Sequence, residues 1–123
     1  GVQTCALPIC LGKKIHSLIL ESTFTSLSDI AAERFKFFPV RKLARFKFET
    51  KNTLPQIKTP ILFIHSRNDE IIPFSHSQKL LKTANEPKTF LEIKGGHNDG
   101  WFLSKDKYFK TIKNFIASVD ISQ

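Results

Sequence analysis

Two residues of this chain have the types and the placement for proton-transfer chemistry. Asp69 stands just past the apolar run Ile61-Leu62-Phe63-Ile64-His65, within Ser66-Arg67-Asn68-Asp69-Glu70-Ile71-Ile72-Pro73, and His97 follows 28 residues later. The histidine closes Thr89-Phe90-Leu91-Glu92-Ile93-Lys94-Gly95-Gly96-His97 and opens into Asn98-Asp99-Gly100-Trp101. A serine hydroxyl is a weak nucleophile until a histidine takes its proton. A carboxylate improves that histidine as a base by fixing its tautomer and stabilising the imidazolium. Strand, acid, strand, histidine is the order in which a Ser…Asp…His triad presents its last two members. Taken singly, Asp69 reads equally as a loop or cap residue, and His97 as a turn residue beside glycines that need positive φ. Their joint placement after consecutive strands favours the triad.

The elements that must position these two residues are legible in outline. The stretch from Ile15 to Leu20 is a short apolar run bounded by polar residues, which suits a buried parallel strand. Ser26 or Ser28 can cap a following helix that runs through Ala31-Ala32-Glu33 to near Phe38, where Pro39 breaks it. Between Pro39 and Pro55 periodicity is lost, and short helical or irregular segments are expected. A strand over 61–65, a helix over 75–84 with Leu80 and Leu81 inward, and a strand over 88–93 come next. Last is a helix over 106–119, in which Tyr108, Phe109, Ile112, Phe115, Ile116 and Val119 recur at spacings of three and four. Alternating strands and helices imply a parallel sheet with right-handed crossovers and helices on its faces. Such sheets carry their sites at the carboxyl ends of strands, where Asp69, His97 and Glu21 all fall.

The segment from Lys14 onward resembles the C-terminal half of an α/β-hydrolase, near the abhydrolase-domain and serine-aminopeptidase-like members of that superfamily. The likeness rests on Leu18-Ile19-Leu20-Glu21-Ser22-Thr23-Phe24-Thr25-Ser26, on His65 through Pro73, and on Gly95-Gly96-His97-Asn98-Asp99. It implies that Asp69 is the triad acid and His97 the base, after the seventh and eighth strands of the parent fold. The first strand here would be its sixth. It further implies cleavage of an ester, thioester or amide through an acyl-enzyme, with an acyl or other small-molecule substrate and no metal or organic cofactor. The alternative is a non-catalytic member of the fold that binds lipid or protein, since fold alone does not guarantee activity. A third reading is a small basic interaction domain that folds alone.

The family pattern also demands G-x-S-x-G at a strand-to-helix elbow, where a strained turn projects the serine beside oxyanion-binding amides. Glycine occurs only at positions 1, 12, 95, 96 and 100, and no serine lies between two of them at that spacing. By the resemblance, the elbow precedes the first strand. Ser22 and Ser66 follow strands but lack flanking glycines and read as turn or cap residues. His65 and His16 read as packed or hydrogen-bonded structural histidines. Glu70 adjoins the acid and is the other carboxylate within reach of His97, although from a tight loop its side chain is expected to point elsewhere. Asp99 is a helix-cap candidate, and Trp101 is expected either to shield the imidazole or to fill the core.

Twelve Phe and 41% hydrophobic residues in 123 are enough for a packed core. The residues Cys5 and Cys10 form a C-x4-C pair that no second pair or His cluster completes into a zinc site. Residues 1–9 match the translation of a common sequencing-library adapter, so residues 1–10 are expected to be an artefact and native sequence to start at Leu11. Residues 11–123 are then expected to be the C-terminal portion of the hydrolase domain. An insertion near 34–55 is rich in Phe and basic residues.

Over 34–48 that insertion holds six basic residues and five of the twelve Phe. Three readings stand: a cap that packs its Phe and solvates its charges, a lid or membrane-facing surface, or a single-strand nucleic-acid binder. No nucleic-acid motif supports the last, and no nucleic-acid partner is expected. Nineteen Lys and Arg against eleven Asp and Glu leave a net charge of +8, which favours anionic partners or surfaces without identifying them. No run approaches the roughly 20 apolar residues that span a bilayer. Cytoplasmic and membrane-associated locations both fit.

Overall fold

The computed structural model describes residues 15–36 and 49–120. The adapter-like start, both cysteines and most of the Phe- and base-rich stretch lie outside the described residues. Three parallel strands form one sheet in the order β1 (Leu18–Glu21), β2 (Ile61–Ser66), β3 (Lys88–Ile93). Leu18 pairs with Ile61, and Ile61 in turn with Lys88; Ser66 pairs with Ile93 at the far end. Between β1 and β2 lie α1 (Leu27–Arg34), α2 (Thr50–Thr53) and a 3-10 turn (Leu54–Gln56). Helix α3 (Ser75–Thr83) joins β2 to β3, and α4 (Gly100–Leu103) and α5 (Lys105–Asp120) follow β3.

The central strand is buried along its whole length, as a strand covered on both faces must be. Because successive side chains alternate across a strand, Ile61 and Phe63 project to one face. There they join Leu18, Leu20, Leu54, Ile57, Leu80 and Ala84, under α3. The residues Leu62 and Ile64 project to the other face and meet Leu91, Ile93, Phe115 and Val119, under α5. Full burial of each such side chain contributes about 1.5–3 kcal/mol, so these two layers hold the strand ends in place.

Helix α1 starts where expected, with Ser26 Oγ accepting the Asp29 amide at 3.0 Å. It ends at Arg34 rather than near Phe38. None of its residues is buried, so no apolar stripe carries the helix onward, and Phe35 at its end is exposed. What holds α1 is polar. The ring of His76 on α3, fully buried, takes the Thr25 amide on Nδ1 at 3.1 Å and meets Glu33 through Nε2 at 3.2 Å. The hydroxyl of Thr25 donates to Asp29 at 2.9 Å, and Lys51 of α2 donates to the same carboxylate oxygen at 2.8 Å. Burial alone would raise the Asp29 pKa, but hydrogen bonds from Lys51, Thr25 and Ser26 outweigh it and bring the carboxyl to about 2. At the sheet's other flank, Tyr108 of α5 donates to Glu21 at 2.6 Å; its own burial, then that carboxylate, push the phenol well above its ordinary range.

Candidate active site

The loops after β2 and β3 lie side by side because their strands are paired. The loop after β2 bends sharply. Asp69 Oδ1 accepts the amides of Ile71 and Ile72 at 2.9 and 2.7 Å, an Asx-type turn made by the acid itself. The loop after β3 turns at Gly95, whose φ of +98° suits glycine. Ser66 joins the two loops: its hydroxyl donates to the Gly95 carbonyl and accepts the Asn68 amide at 3.1 Å. Buried and engaged in this way, it is a structural residue, as its sequence context suggested.

Asp69 and His97 meet across this junction. The imidazole Nδ1–H donates to Asp69 Oδ2 at 2.9 Å. The carboxylate side chain is wholly enclosed, while the imidazole is about a quarter exposed (27%). Nε2 therefore carries the lone pair, and among the described residues it has no hydrogen-bond partner. Burial alone would raise the Asp69 pKa. The Ile72 amide, the His97 imidazole and the Ile71 amide outweigh it and hold the carboxyl below its usual range, so the acid is ionised at neutral pH.

His65 stands behind the acid. It is fully buried, with Nε2 donating to the Ile72 carbonyl at 2.9 Å and lying 3.2 Å from Asp69 Oδ2, while Nδ1 accepts the Ser77 hydroxyl. Burial lowers its pKa, only partly offset by the Ile72 carbonyl and Asp69, so the ring stays neutral. It is structural, as expected, but it lies against Asp69. That contact is made between the end of β2 and the loop that follows it, and its only signal in sequence is the i, i+4 spacing of His65 and Asp69.

Three other expectations are adjusted. Glu70 does not turn away: its Oε2 accepts the His97 backbone amide at 3.0 Å, because the Asx turn folds both carboxylates toward the β3 loop. Asp99 stands at the α4 N-cap position but makes no side-chain cap; its Oδ1 accepts the Gly96 amide at 2.5 Å instead. Trp101 is exposed and lies edge-on to Phe102, so it does not fill the core. Among the described residues no group of three or more His, Cys, Asp and Glu is placed to hold a metal ion. Two surface hollows of about 570 and 780 Å³ are lined by neither Asp69 nor His97.

A parallel sheet covered by helices on both faces, with a carboxylate and an imidazole joined beyond adjacent strand ends, has the architecture of the α/β-hydrolases. The chain belongs to the family described as Serine hydrolase (FSH1), whose model matches residues 12–98. It is similar to the uncharacterized protein Rv2307c of Mycobacterium tuberculosis, at 29% identity over 94% of this chain and 42% of that protein. It is also similar to the alpha/beta hydrolase domain-containing protein WAV2 of Arabidopsis thaliana, at 31% identity over 84% of this chain and 39% of that protein. The chain thus spans about two fifths of the length of these relatives. Among solved structures, the Pyrococcus furiosus esterase Pf2001 superposes with a TM-score of 0.70 at 18% identity, over 94% of this chain and 48% of that one. That likeness bears on the fold alone.

Proposed function

We propose that this chain carries the acid and base of a serine hydrolase that cleaves an ester, thioester or amide through an acyl-enzyme. The observation that carries the proposal is the 2.9 Å bond from His97 Nδ1 to an enclosed, ionised Asp69, which leaves Nε2 free to accept a proton. The nucleophile is a serine on a G-x-S-x-G elbow in sequence preceding this chain. As that serine attacks the carbonyl carbon, Nε2 takes its proton, and Asp69 holds the resulting imidazolium. Collapse of the tetrahedral intermediate expels the leaving group, which receives the proton from Nε2. Water then attacks the acyl-enzyme with His97 again as base, and the serine is released. The 123 residues alone give no turnover.

That the relatives and the esterase neighbour are longer than this chain supports a pocket completed by further sequence. The test is to express the complete reading frame and assay hydrolysis of p-nitrophenyl acetate. Turnover that disappears in His97→Ala supports the proposal. An intact fold without turnover, from a frame whose elbow serine is substituted, favours the lipid- or protein-binding alternative.

A further inference from the structure

Successive side chains of a loop ordinarily diverge, yet Asp69 and Glu70 converge on one residue. Asp69 Oδ2 accepts the His97 imidazole at 2.9 Å, and Glu70 Oε2 accepts the backbone amide of the same histidine at 3.0 Å. The convergence has a built cause. Asp69 Oδ1 gathers the amides of Ile71 and Ile72, and Arg34 Nη2 from α1 donates to the carbonyls of Glu70 and Ile71 at 2.5 and 2.7 Å. The loop is thereby held from both sides with the Glu70 carboxylate facing β3. A second feature admits it there. A Cβ on Gly96 would lie 2.5 Å from Glu70 Oε2, so the residue before the histidine must lack a side chain for the carboxylate to approach.

We infer that Glu70 is a positioning residue for His97, pinning its main chain while Asp69 pins its ring. A histidine anchored only through its ring can swing with its loop and carry Nε2 away from the reacting atom. Anchoring the amide as well leaves only the side-chain torsions that keep Nδ1 on Asp69. Misplacement of a base by even an ångström is enough to slow proton transfer markedly. The consequence for turnover rests on the hydrolase reading; the clamp itself does not.

The test therefore has two readouts on the complete protein, labelled with ¹⁵N-histidine. In the first, NMR follows hydrogen exchange of the His97 amide, assigned by its loss in His97→Asn. Glu70→Ala speeds that exchange roughly fivefold, as loss of one charge-assisted bond at an exposed site should. Glu70→Gln, which keeps an acceptor oxygen, restores most of the protection. Gly96→Ala displaces the carboxylate and reproduces Glu70→Ala, and the double variant is no worse than either single one. In the second, Glu70→Ala lowers kcat for p-nitrophenyl acetate by roughly three- to tenfold with KM within about twofold, and Glu70→Gln recovers it. Wild-type exchange in Glu70→Ala, or a Gln variant as impaired as the Ala variant, overturns the inference. So does a changed exchange rate with unchanged kcat. Absence of turnover in the wild type overturns the hydrolase reading instead, and the exchange measurement then decides the clamp by itself.

Discussion

At the scale of single residues, the polarity of each oxygen on Asp69 determines what a substitution does. Oδ1 is committed to two backbone amides, so in Asp69→Asn the amide oxygen takes that side and the NH₂ faces His97 and His65. Both of those ring nitrogens are donors, and an NH₂ cannot accept from either. The imidazole must turn to its other tautomer, with the proton on Nε2, where it cannot act as a base. Asp69→Asn is therefore expected to keep the fold and lose on the order of 10⁴ in kcat, measured on the complete protein. His65 makes a prediction of different sign. Burial lowers its pKa from 6.5, so on acidification the unfolded chain takes up a proton that the folded chain refuses. Its contribution to stability is present above that value and falls as pH drops through it toward the lower folded pKa. In His65→Gln that dependence is absent, so denaturant titrations should show the stability gap between wild type and variant narrowing on acidification. A gap that stays constant or widens contradicts a buried neutral ring.

At the scale of elements, the apolar pattern and the polar ties had different legibility. Strands β2 and β3 and helices α3 and α5 follow the sequence periodicity closely, because Phe63, Leu80, Phe115 and their neighbours bury in step with the period of their element. The meeting of Asp69 and His97 was equally legible, since a residue just beyond a strand end is placed by the strand. Helix α1 ends earlier than its residue pattern predicts because its anchor is a polar knot in which the buried Thr25 and His76, 51 residues apart, tie to the more exposed Asp29 and Glu33. No periodicity encodes such a tie. The same holds for Arg34, a member of the basic stretch, which is committed to the Glu70 and Ile71 carbonyls rather than to an external partner. The knot has its own test. Asp29→Asn should cost about 2 kcal/mol in urea denaturation at neutral pH, since two charge-assisted bonds weaken. The folded carboxyl titrates near 2 against 3.8 unfolded, so that contribution is full above 3.8 and is lost as pH falls toward 2. The gap between wild type and variant should close over that interval.

At the scale of the whole molecule, the sheet has β2 at its centre, two helical layers and a joined acid and base, while the relatives it matches are more than twice its length. The chain's own family membership and fold are plain; the proposal specific to it is that Asp69 and His97 serve a serine held elsewhere. Among the described residues no helix is long and apolar enough to cross a membrane. The most direct measurement is the rate at which a fluorophosphonate probe labels the complete protein, because the probe reports the activated nucleophile without requiring the natural substrate. Rapid labelling of the wild type on the elbow serine is expected, with His97→Ala and Asp69→Asn slowed by at least roughly a hundredfold. Labelling that proceeds undiminished in both variants would contradict the proposed roles of Asp69 and His97.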